Sequence, residues 1–155
     1  MKIIGDGGHA SVVRGFLPFI NSDKQFFVAI GDNRARMKEA MAAIDEGLIP
    51  CDAVVHERAL VHRTAKLGRG TVIMAGAIVA ANAIIGEFCI VNHNATVDHD
   101  AILGNFVHVA PGASLCGGVT VNEGALIGVG VGIGPGAHVP SWTMCRATLL
   151  DLVPL

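Results

Sequence analysis

Hydrophobic positions between Val54 and Val139 recur with a period of six residues. Written in rows of six, this segment has an aliphatic residue at the second place of fifteen consecutive rows, from Val55 to Val139. If each place were aliphatic with a chance of roughly one in three, such a run would arise about once in ten million trials, so the period reflects the fold. A small residue, most often Ala, stands four positions after each aliphatic residue.

A period of six fits a chain that turns a corner every six residues and stacks on itself. Three rows close a triangular coil of eighteen residues, in which the aliphatic side chains point inward and the backbones pair about 4.8 Å apart. The pattern therefore predicts a mainly β protein with a parallel β-helix of about five coils over residues 54–143. The backbone is expected to turn directly after the aliphatic residue, at Gly86, Asn92, Asp98, Gly104, Asn122, Gly128 and Gly134.

Residues 1–53 predict a small α/β lobe in which a strand, a glycine-rich turn and a helix occur twice. Strands are predicted at 2–4 and 26–30, and helices at 10–17 and 34–46. The turns are Gly5–His9 and Gly31–Asn33. Because parallel strands end at one edge of a sheet, these turns form a crevice where helix N-termini can bind an anion or a sugar. A purely structural pair of turns is the alternative interpretation.

The six-residue rule fails after Val139. Residues 144–155 are therefore predicted to be a non-repeat tail. Trp142 needs either an exposed corner or a subunit contact, because nothing in the hexad pattern leaves room for an indole inside the coil.

Composition narrows the possible functions and points to an oligomer. Hydrophobic residues make up 52% and charged residues 15% of the chain, so part of the β-helix surface is expected to be a buried subunit face. A net charge of −2 does not indicate the basic surface that binding to nucleic acid or to an anionic membrane would need. No apolar run is long enough to span a bilayer, and the first residues lack the apolar core of a signal peptide. Four cysteines without a CxxC pair favour reduced thiols in the cytoplasm.

One polar cluster in the β-helix could carry chemistry. It runs from Asn92 to Asp100, and His108 follows shortly after it. His99 stands two positions past an inward aliphatic residue, and therefore at an outward corner. Its stacking neighbours, eighteen residues away, are the small residues Ala81 and Gly117, so the imidazole is reachable, and the adjacent carboxylate can fix its tautomer and raise its basicity. A solvated polar surface is the alternative interpretation.

Three segments carry a resemblance to a known family. They are GDGGHA at 5–10, VAIGDN at 28–33 and VNHNATVDHDAILGNFVHVAPGASLCGGVTV at 91–121. Together they resemble the bacterial sugar O/N-acetyltransferases of the hexapeptide-repeat acyltransferases, over about residues 1–140. The resemblance implies a left-handed β-helix, a Rossmann-like lobe, and a trimer with active sites between neighbouring β-helices.

The same resemblance implies a reaction and a role for each matching residue. The acetyl group of acetyl-CoA would pass to the amino group of a nucleotide-linked sugar, of the UDP-4-amino-sugar type, without a metal. His99 would be the general base and Asp100 would enhance its basicity. Acetyl-CoA would contact His108, Asn92, Gly117 and Val129, and the nucleotide sugar would contact Gly7, Gly8, His9, Gly31 and Asp32.

The chain departs from the family pattern at two places. The segment between the first helix and Phe26 is shorter than in relatives, and the hexads stop near Pro140, whereas in relatives later coils help to hold acetyl-CoA. Three alternatives stay open at this point. They are O-acetylation of sialic acid or another sugar, a zinc enzyme of the γ-carbonic anhydrase type that uses His93, His99 and His108, and a scaffold without activity.

Overall fold

The N-terminal lobe is a three-stranded parallel sheet with two helices. The computed structural model describes residues 1–15 and 24–146. The lobe comprises β1 (Lys2–Ile4), α1 (Gly8–Arg14), β2 (Gln25–Val28), α2 (Asn33–Asp45) and β3 (Ile49–Pro50), and its strands lie in the order β1-β2-β3. The sequence predicts the first two strands and treats residues 48–55 as a connection. In the structure that connection contains the third strand.

Both lobe helices begin within the predicted turns, α1 at Gly8 and α2 at Asn33. Asp32 caps α2, because its carboxylate accepts the backbone N–H of Ala35 at 2.8 Å. The helix ends at Asp45, and Gly47 then takes a left-handed conformation with φ of 82°. Helix α1 begins at Gly8, two residues earlier than predicted, while the predicted end at residue 17 lies outside the described residues. Within residues 1–15 and 24–146, no helix is long and apolar enough to cross a membrane.

Sixteen two-residue strands follow and stack into a triangular parallel solenoid with three faces. Face 1 contains β4 (Val54–Val55), β7 (Val72–Ile73), β10 (Ile90–Val91), β13 (His108–Val109), β16 (Leu126–Ile127) and β19 (Met144–Cys145). Face 2 contains β5 (Leu60–Val61), β8 (Ile78–Val79), β11 (Thr96–Val97), β14 (Ser114–Leu115) and β17 (Gly132–Ile133). Face 3 contains β6 (Lys66–Leu67), β9 (Ile84–Ile85), β12 (Ile102–Leu103), β15 (Thr120–Val121) and β18 (His138–Val139).

The predicted ladders form the interior of this solenoid. Val91 pairs in register with Ile73 in the coil before it and with Val109 in the coil after it, which is the predicted spacing of eighteen. From β7 to β16 the second residue of each strand points inward and is buried, and the small residue four positions later is buried with it. Both predictions are confirmed by one continuous core that contains Val79, Ala83, Val97, Ala101, Leu115 and Val119.

The corners lie two residues further along the chain than predicted. The left-handed residue is the third after the inward aliphatic, as at Asn94, Asp100 and Phe106, with φ between 54° and 60°. The residue directly after the aliphatic is small for a different reason. At Gly86, a Cβ atom would lie 2.6 Å from the carbonyl carbon of Gly104 in the next coil, so close approach of the coils excludes a side chain.

The solenoid also continues past its predicted end. Strand β19, Met144–Cys145, pairs with Leu126–Ile127, so the tail predicted from residue 144 begins no earlier than residue 147, and residues 147–155 lie outside the described residues. Trp142 occupies the predicted corner with φ of 57°. The guanidinium carbon of Arg34 lies 4.6 Å from the centroid of the Trp142 ring, so the indole is covered by the lobe of its own chain.

The inward ladder generates a stability prediction for neighbouring residues of β12. Leu103 is 2% exposed and Ile102 is 46% exposed. Leu103→Asp places an unpaired charge in an apolar interior, which costs several kcal/mol, so we expect an unfolded or strongly destabilised protein. Ile102→Asp adds the same charge on the outer surface of the same strand, where it weakens any subunit contact but leaves the interior of the chain intact, so we expect the smaller fall in melting temperature for this variant. Thermal unfolding followed by circular dichroism measures both, and equal melting temperatures would contradict the assigned interior.

Candidate active site

His99 and Asp100 form a hydrogen-bonded pair at the corner between faces 2 and 3. The Nδ1 atom of His99 lies 2.8 Å from Oδ2 of Asp100, and the side chains are 61% and 58% exposed. The other carboxylate oxygen of Asp100 accepts from the Asn82 amide at 3.1 Å, and the His99 backbone N–H donates to Oδ1 of Asp98 at 2.7 Å. In its neutral form the imidazole therefore carries its proton on Nδ1, and Nε2 is the nitrogen that can accept a proton.

The charges around this pair shift both pKa values in the directions that strengthen a base. The hydrogen bond to Asp100, and then the charge of Asp98, raise the pKa of His99 above 6.5. The hydrogen bond from His99, and then the one from Asn82, lower the pKa of Asp100. The carboxylate is thus ionised at neutral pH and stabilises an imidazolium that forms next to it.

Gly117 leaves the space in which the His99 ring sits. A Cβ atom on Gly117 would lie 2.5 Å from Cε1 and 2.6 Å from Nε2 of His99, so any side chain would displace the ring. The predicted small neighbour is therefore in contact with the imidazole. The backbone N–H groups of His93 and His99 are bound by the preceding Asn or Asp side chain, but Cys116 offers Gly117 no such acceptor. Among the described residues, the Gly117 N–H donates to no other group, so it is available beside the ring.

The lobe has a cleft of about 490 Å³ where its two turns meet. His9 lies in the first turn of α1, and its Nε2 atom is buried without a hydrogen-bond partner among the described residues. Burial, and then the nearby Arg36 charge, lower the pKa of His9 to about 4, so this nitrogen belongs to a neutral ring. A ligand with hydroxyl or phosphate groups would satisfy it. The cleft is lined by Gly5, Asp6, Gly7, Gly8, His9, Ala29, Ile30 and Gly31.

His108 lies on face 1 and bridges the lobe to the solenoid. Its Nδ1 atom is 3.2 Å from the carbonyl oxygen of Gly31, and its Nε2 atom is 3.1 Å from the amide nitrogen of Asn92. Since a carbonyl only accepts, Nδ1 carries the proton and Nε2 accepts from the amide. Burial, and then Arg36, lower the pKa of His108 to about 4. Both ring nitrogens are therefore occupied, so in this arrangement His108 has no N–H left for an acetyl oxygen.

Arg36 is the buried group around which these residues are arranged, and the sequence analysis missed it. The side chain is 1% exposed, and burial lowers its pKa to about 10, so it stays charged. All five of its N–H groups have acceptors. Nε donates to the Phe88 carbonyl at 2.8 Å, Nη1 donates to the Ile30 and Gly31 carbonyls at 3.0 Å, and Nη2 donates to Asn33 Oδ1 at 2.8 Å and to the Phe106 carbonyl at 2.9 Å.

A single chain does not bring all predicted site residues together. His99, Asp100 and Gly117 lie at the corner between faces 2 and 3, whereas His108 lies on face 1 and Val129 at the corner between faces 1 and 2, where it is 68% exposed. Face 2 separates the two groups. Asp32 caps α2, so its carboxylate already has a structural role there. Within the described residues, no three His, Cys, Asp or Glu side chains are placed to share a metal ion.

Comparison with known proteins identifies similar sequences and structures. A family model described as bacterial transferase hexapeptide (six repeats) matches residues 64–99. No protein of curated function matches the chain at the sequence level. A mutant of perosamine N-acetyltransferase from Caulobacter crescentus, solved with CoA and GDP-perosamine, is 34% identical with a TM-score of 0.84, and the match covers 92% of this chain and 83% of that chain.

Two further structures show the same architecture. The acetyltransferase domain of PglB from Neisseria gonorrhoeae FA1090, in complex with acetyl coenzyme A, is 29% identical with a TM-score of 0.72, over 92% of this chain and 93% of that chain. WeeI from Acinetobacter baumannii AYE is 24% identical with a TM-score of 0.67, over 81% of this chain and 68% of that chain. The second match shows the fold alone.

The His99–Asp100 pair generates a prediction that nuclear magnetic resonance can test. Asp100→Asn removes the largest cause of the raised pKa of His99, so we expect that pKa to fall. Asp98→Asn removes only the second cause and is the matched control, for which we expect a smaller fall. A titration of the His99 ring signals measures both. A larger fall in Asp98→Asn would show that Asp100 is not the main partner of the imidazole.

Proposed function

Because the chain belongs to the hexapeptide-repeat sugar N-acetyltransferases, we propose that it transfers the acetyl group of acetyl-CoA to the amino group of a nucleotide-linked amino sugar. The similar perosamine N-acetyltransferase was solved with CoA and GDP-perosamine, and the PglB domain with acetyl coenzyme A. The observation in this chain that carries the proposal is the His99–Asp100 pair, whose proton-accepting Nε2 lies beside Gly117. We further propose that the β-helix is left-handed, that the lobe is Rossmann-like, and that the enzyme is cytoplasmic.

The proposed reaction is a direct transfer in a ternary complex. The sugar amine attacks the thioester carbonyl carbon, and Nε2 of His99 accepts the proton that the amine loses. Asp100 stabilises the imidazolium that results. The C–S bond then breaks, and the CoA sulfur leaves as a thiolate that takes up a proton. The backbone N–H of Gly117 is proposed to donate to the oxyanion, because Gly117 contacts the His99 ring and its N–H has no acceptor among the described residues.

The substrate side of the proposal rests on the lobe cleft. Gly7 and Gly8 are exposed, and a Cβ atom on either would meet no atom within 4 Å, so the cleft is open at this turn. His9 also lines the cleft, and its buried Nε2 atom has no partner among the described residues. An open, glycine-lined cleft of this kind suits the phosphate and hydroxyl groups of a nucleotide sugar, so we assign Gly7, Gly8, His9, Gly31 and Asp32 to its binding. Asn92, His108, Gly117 and Val129 are assigned to acetyl-CoA.

Two chains are needed to complete the proposed site. Within one chain, His99 and His108 lie on different parts of the solenoid, separated by face 2. Faces 2 and 3 carry a row of exposed aliphatic side chains, each at least 41% exposed in the isolated chain, which a second subunit would bury. The row consists of Leu60, Ile78, Ile84 and Ile102. We therefore propose a homotrimer in which each active site takes His99 from one chain and His108 from its neighbour.

Turnover of His99 variants tests the reaction. Release of free thiol from acetyl-CoA is followed with UDP-4-amino sugars, GDP-4-amino sugars and sialic acid as acceptors. We expect thiol release with an amino sugar, and His99→Ala should lower kcat by about 10²- to 10⁴-fold while acetyl-CoA binding stays nearly unchanged, since a general base acts in the transition state. The rate should rise with pH through a value above 6.5, as His99 loses its proton.

The acceptor panel also decides between the alternatives. If only sialic acid is acetylated, the proposed N-acetylation is wrong and the enzyme is an O-acetyltransferase. If His99→Ala keeps more than about a third of wild-type turnover, the His99 imidazole is not the general base. An absence of thiol release with every acceptor, together with no thermal stabilisation by acetyl-CoA, would favour a scaffold without activity.

Mixed trimers test the shared site. His99→Ala and His108→Ala chains are denatured, mixed in equal amounts and refolded together. If each site takes one histidine from each of two neighbours, random mixing restores about a quarter of wild-type turnover, because three in four trimers then contain one intact site among three. Each variant refolded alone is the control. No recovery in a mixture that has the mass of a trimer would contradict the shared site.

A further inference from the structure

We propose that Arg36 is a positioning residue of the active site, which fixes the tautomer of His108 through the carbonyl of Gly31 and thereby the direction of the Asn92 amide. The inference rests on the proposed function, because it concerns the groups assigned to acetyl-CoA. It adds a residue that touches neither substrate and acts through main-chain and side-chain hydrogen bonds.

The first step is the shared acceptor. The Gly31 carbonyl accepts from Nη1 of Arg36 at 3.0 Å and from Nδ1 of His108 at 3.2 Å. Its two lone pairs are then used by a buried guanidinium and an imidazole N–H. The guanidinium has four further acceptors and cannot swing away without leaving its buried N–H groups unpaired. The carbonyl is therefore held in one direction, and it accepts a hydrogen bond only from the tautomer of His108 that is protonated on Nδ1.

The second step passes this order to Asn92. With Nδ1 protonated, Nε2 of His108 is an acceptor for the Asn92 amide nitrogen at 3.1 Å. At the other end of the amide, Oδ1 accepts the backbone N–H of His93 at 2.8 Å and lies 2.8 Å from Nδ1 of the His93 ring. The two ends of the amide thus have opposite partners, which excludes the flipped orientation. One N–H of Asn92 stays free, in a fixed direction, at the edge of face 1.

The third step is electrostatic. His108 faces two titratable groups of the lobe, Arg36 and His9. On the solenoid, the titratable group on the far side of Asn92 is His93. A protonated His108 would place a second positive charge near the buried guanidinium, and burial already disfavours that charge. Protonation would also remove the acceptor on Nε2 and release the amide. The Arg36 charge therefore keeps the ring in the state that the hydrogen bonds require.

The neighbouring arginine of the same helix provides a matched control. Arg34 is also in α2, but its side chain is exposed, lies 4.6 Å from the centroid of the Trp142 ring, and is not a donor to the Gly31 carbonyl or to His108. Arg34→Met removes the same charge from the same helix and leaves the network intact. Arg36→Lys keeps a charge in the network but offers three N–H donors in place of five.

The experiment combines nitrogen-15 spectra of the histidine rings with turnover. In the wild type, we expect His108 to carry its proton on Nδ1 alone from about pH 5 to pH 8, with its signals identified by their loss in His108→Gln. In Arg36→Lys, we expect a mixture of tautomers and a fall in kcat of about 10- to 100-fold, because a misdirected amide no longer meets the acetyl group. Arg34→Met should leave both unchanged.

The outcomes separate this inference from the proposed function. A wild-type His108 protonated on Nε2, or charged near neutral pH, overturns the inference even if acetyl transfer is observed, and it needs no variant that folds. A loss of turnover in Arg36→Lys with an unchanged tautomer also overturns it, since Arg36 would then be structural only. If His108 is protonated on Nδ1 but the protein releases no thiol with any acceptor, the hydrogen-bond network is supported and the proposed acetyltransferase activity is wrong.

Discussion

The buried charge of Arg36 determines how the lobe sits on the β-helix. Its N–H groups bind carbonyls of the turn at residues 30–31 and of two stacked corners of the solenoid, Phe88 and Phe106. Separating the two parts would leave an unpaired guanidinium in an apolar environment, which costs several kcal/mol. The Phe rings stack at 5.2 Å with an angle of 4°, and Phe26 of the lobe lies 6.0 Å from Phe88, so the same junction is both polar and tightly packed.

The hexad spacing then decides what each outward residue can reach. Because every coil contains eighteen residues, a corner residue always stacks on the same corner of the next coil, and His99 meets Gly117 for this reason alone. The same regularity keeps His99 and His108 apart, since nine residues are one and a half rows and place them on different parts of the triangle. A repeat that positions each group so rigidly does not bring the two groups onto one site within a chain, which is why the proposed site takes His108 from a second chain.

The sequence predicts what is periodic and misses what depends on a single long-range contact. The inward ladder, the outward His99 and its small neighbour follow from spacing alone, and the structure confirms them. Arg36 could not be predicted in the same way, because four of its five acceptors are main-chain carbonyls, up to 70 residues away, which leave no pattern in the side chains. One signal was available: Arg36 shares the buried stripe of α2 with Ala40 and Ala43, at helical spacing. The strand at 144–145 was missed because Pro140, and no Gly or Asn, follows Val139 at the place where a turn was expected, whereas the observed corner at Trp142 accepts an aromatic residue as the corners at Phe88 and Phe106 do.

The charges give the histidines opposite properties. Next to Asp100 and Asp98, the exposed His99 has a raised pKa and can take up a proton, whereas burial and the charge of Arg36 hold His9 and His108 neutral, with pKa values of about 4. Of these three rings, His99 is therefore the one suited to take up a proton near neutral pH, while His9 and His108 stay neutral and the His108 ring keeps fixed hydrogen-bond directions. This separation of a titrating base from neutral rings depends on carboxylates beside His99 and on a buried cation without a carboxylate partner, Arg36, beside His9 and His108. The sequence supplies both, because the carboxylates stand on the repeat and the cation stands on the lobe helix that docks against it.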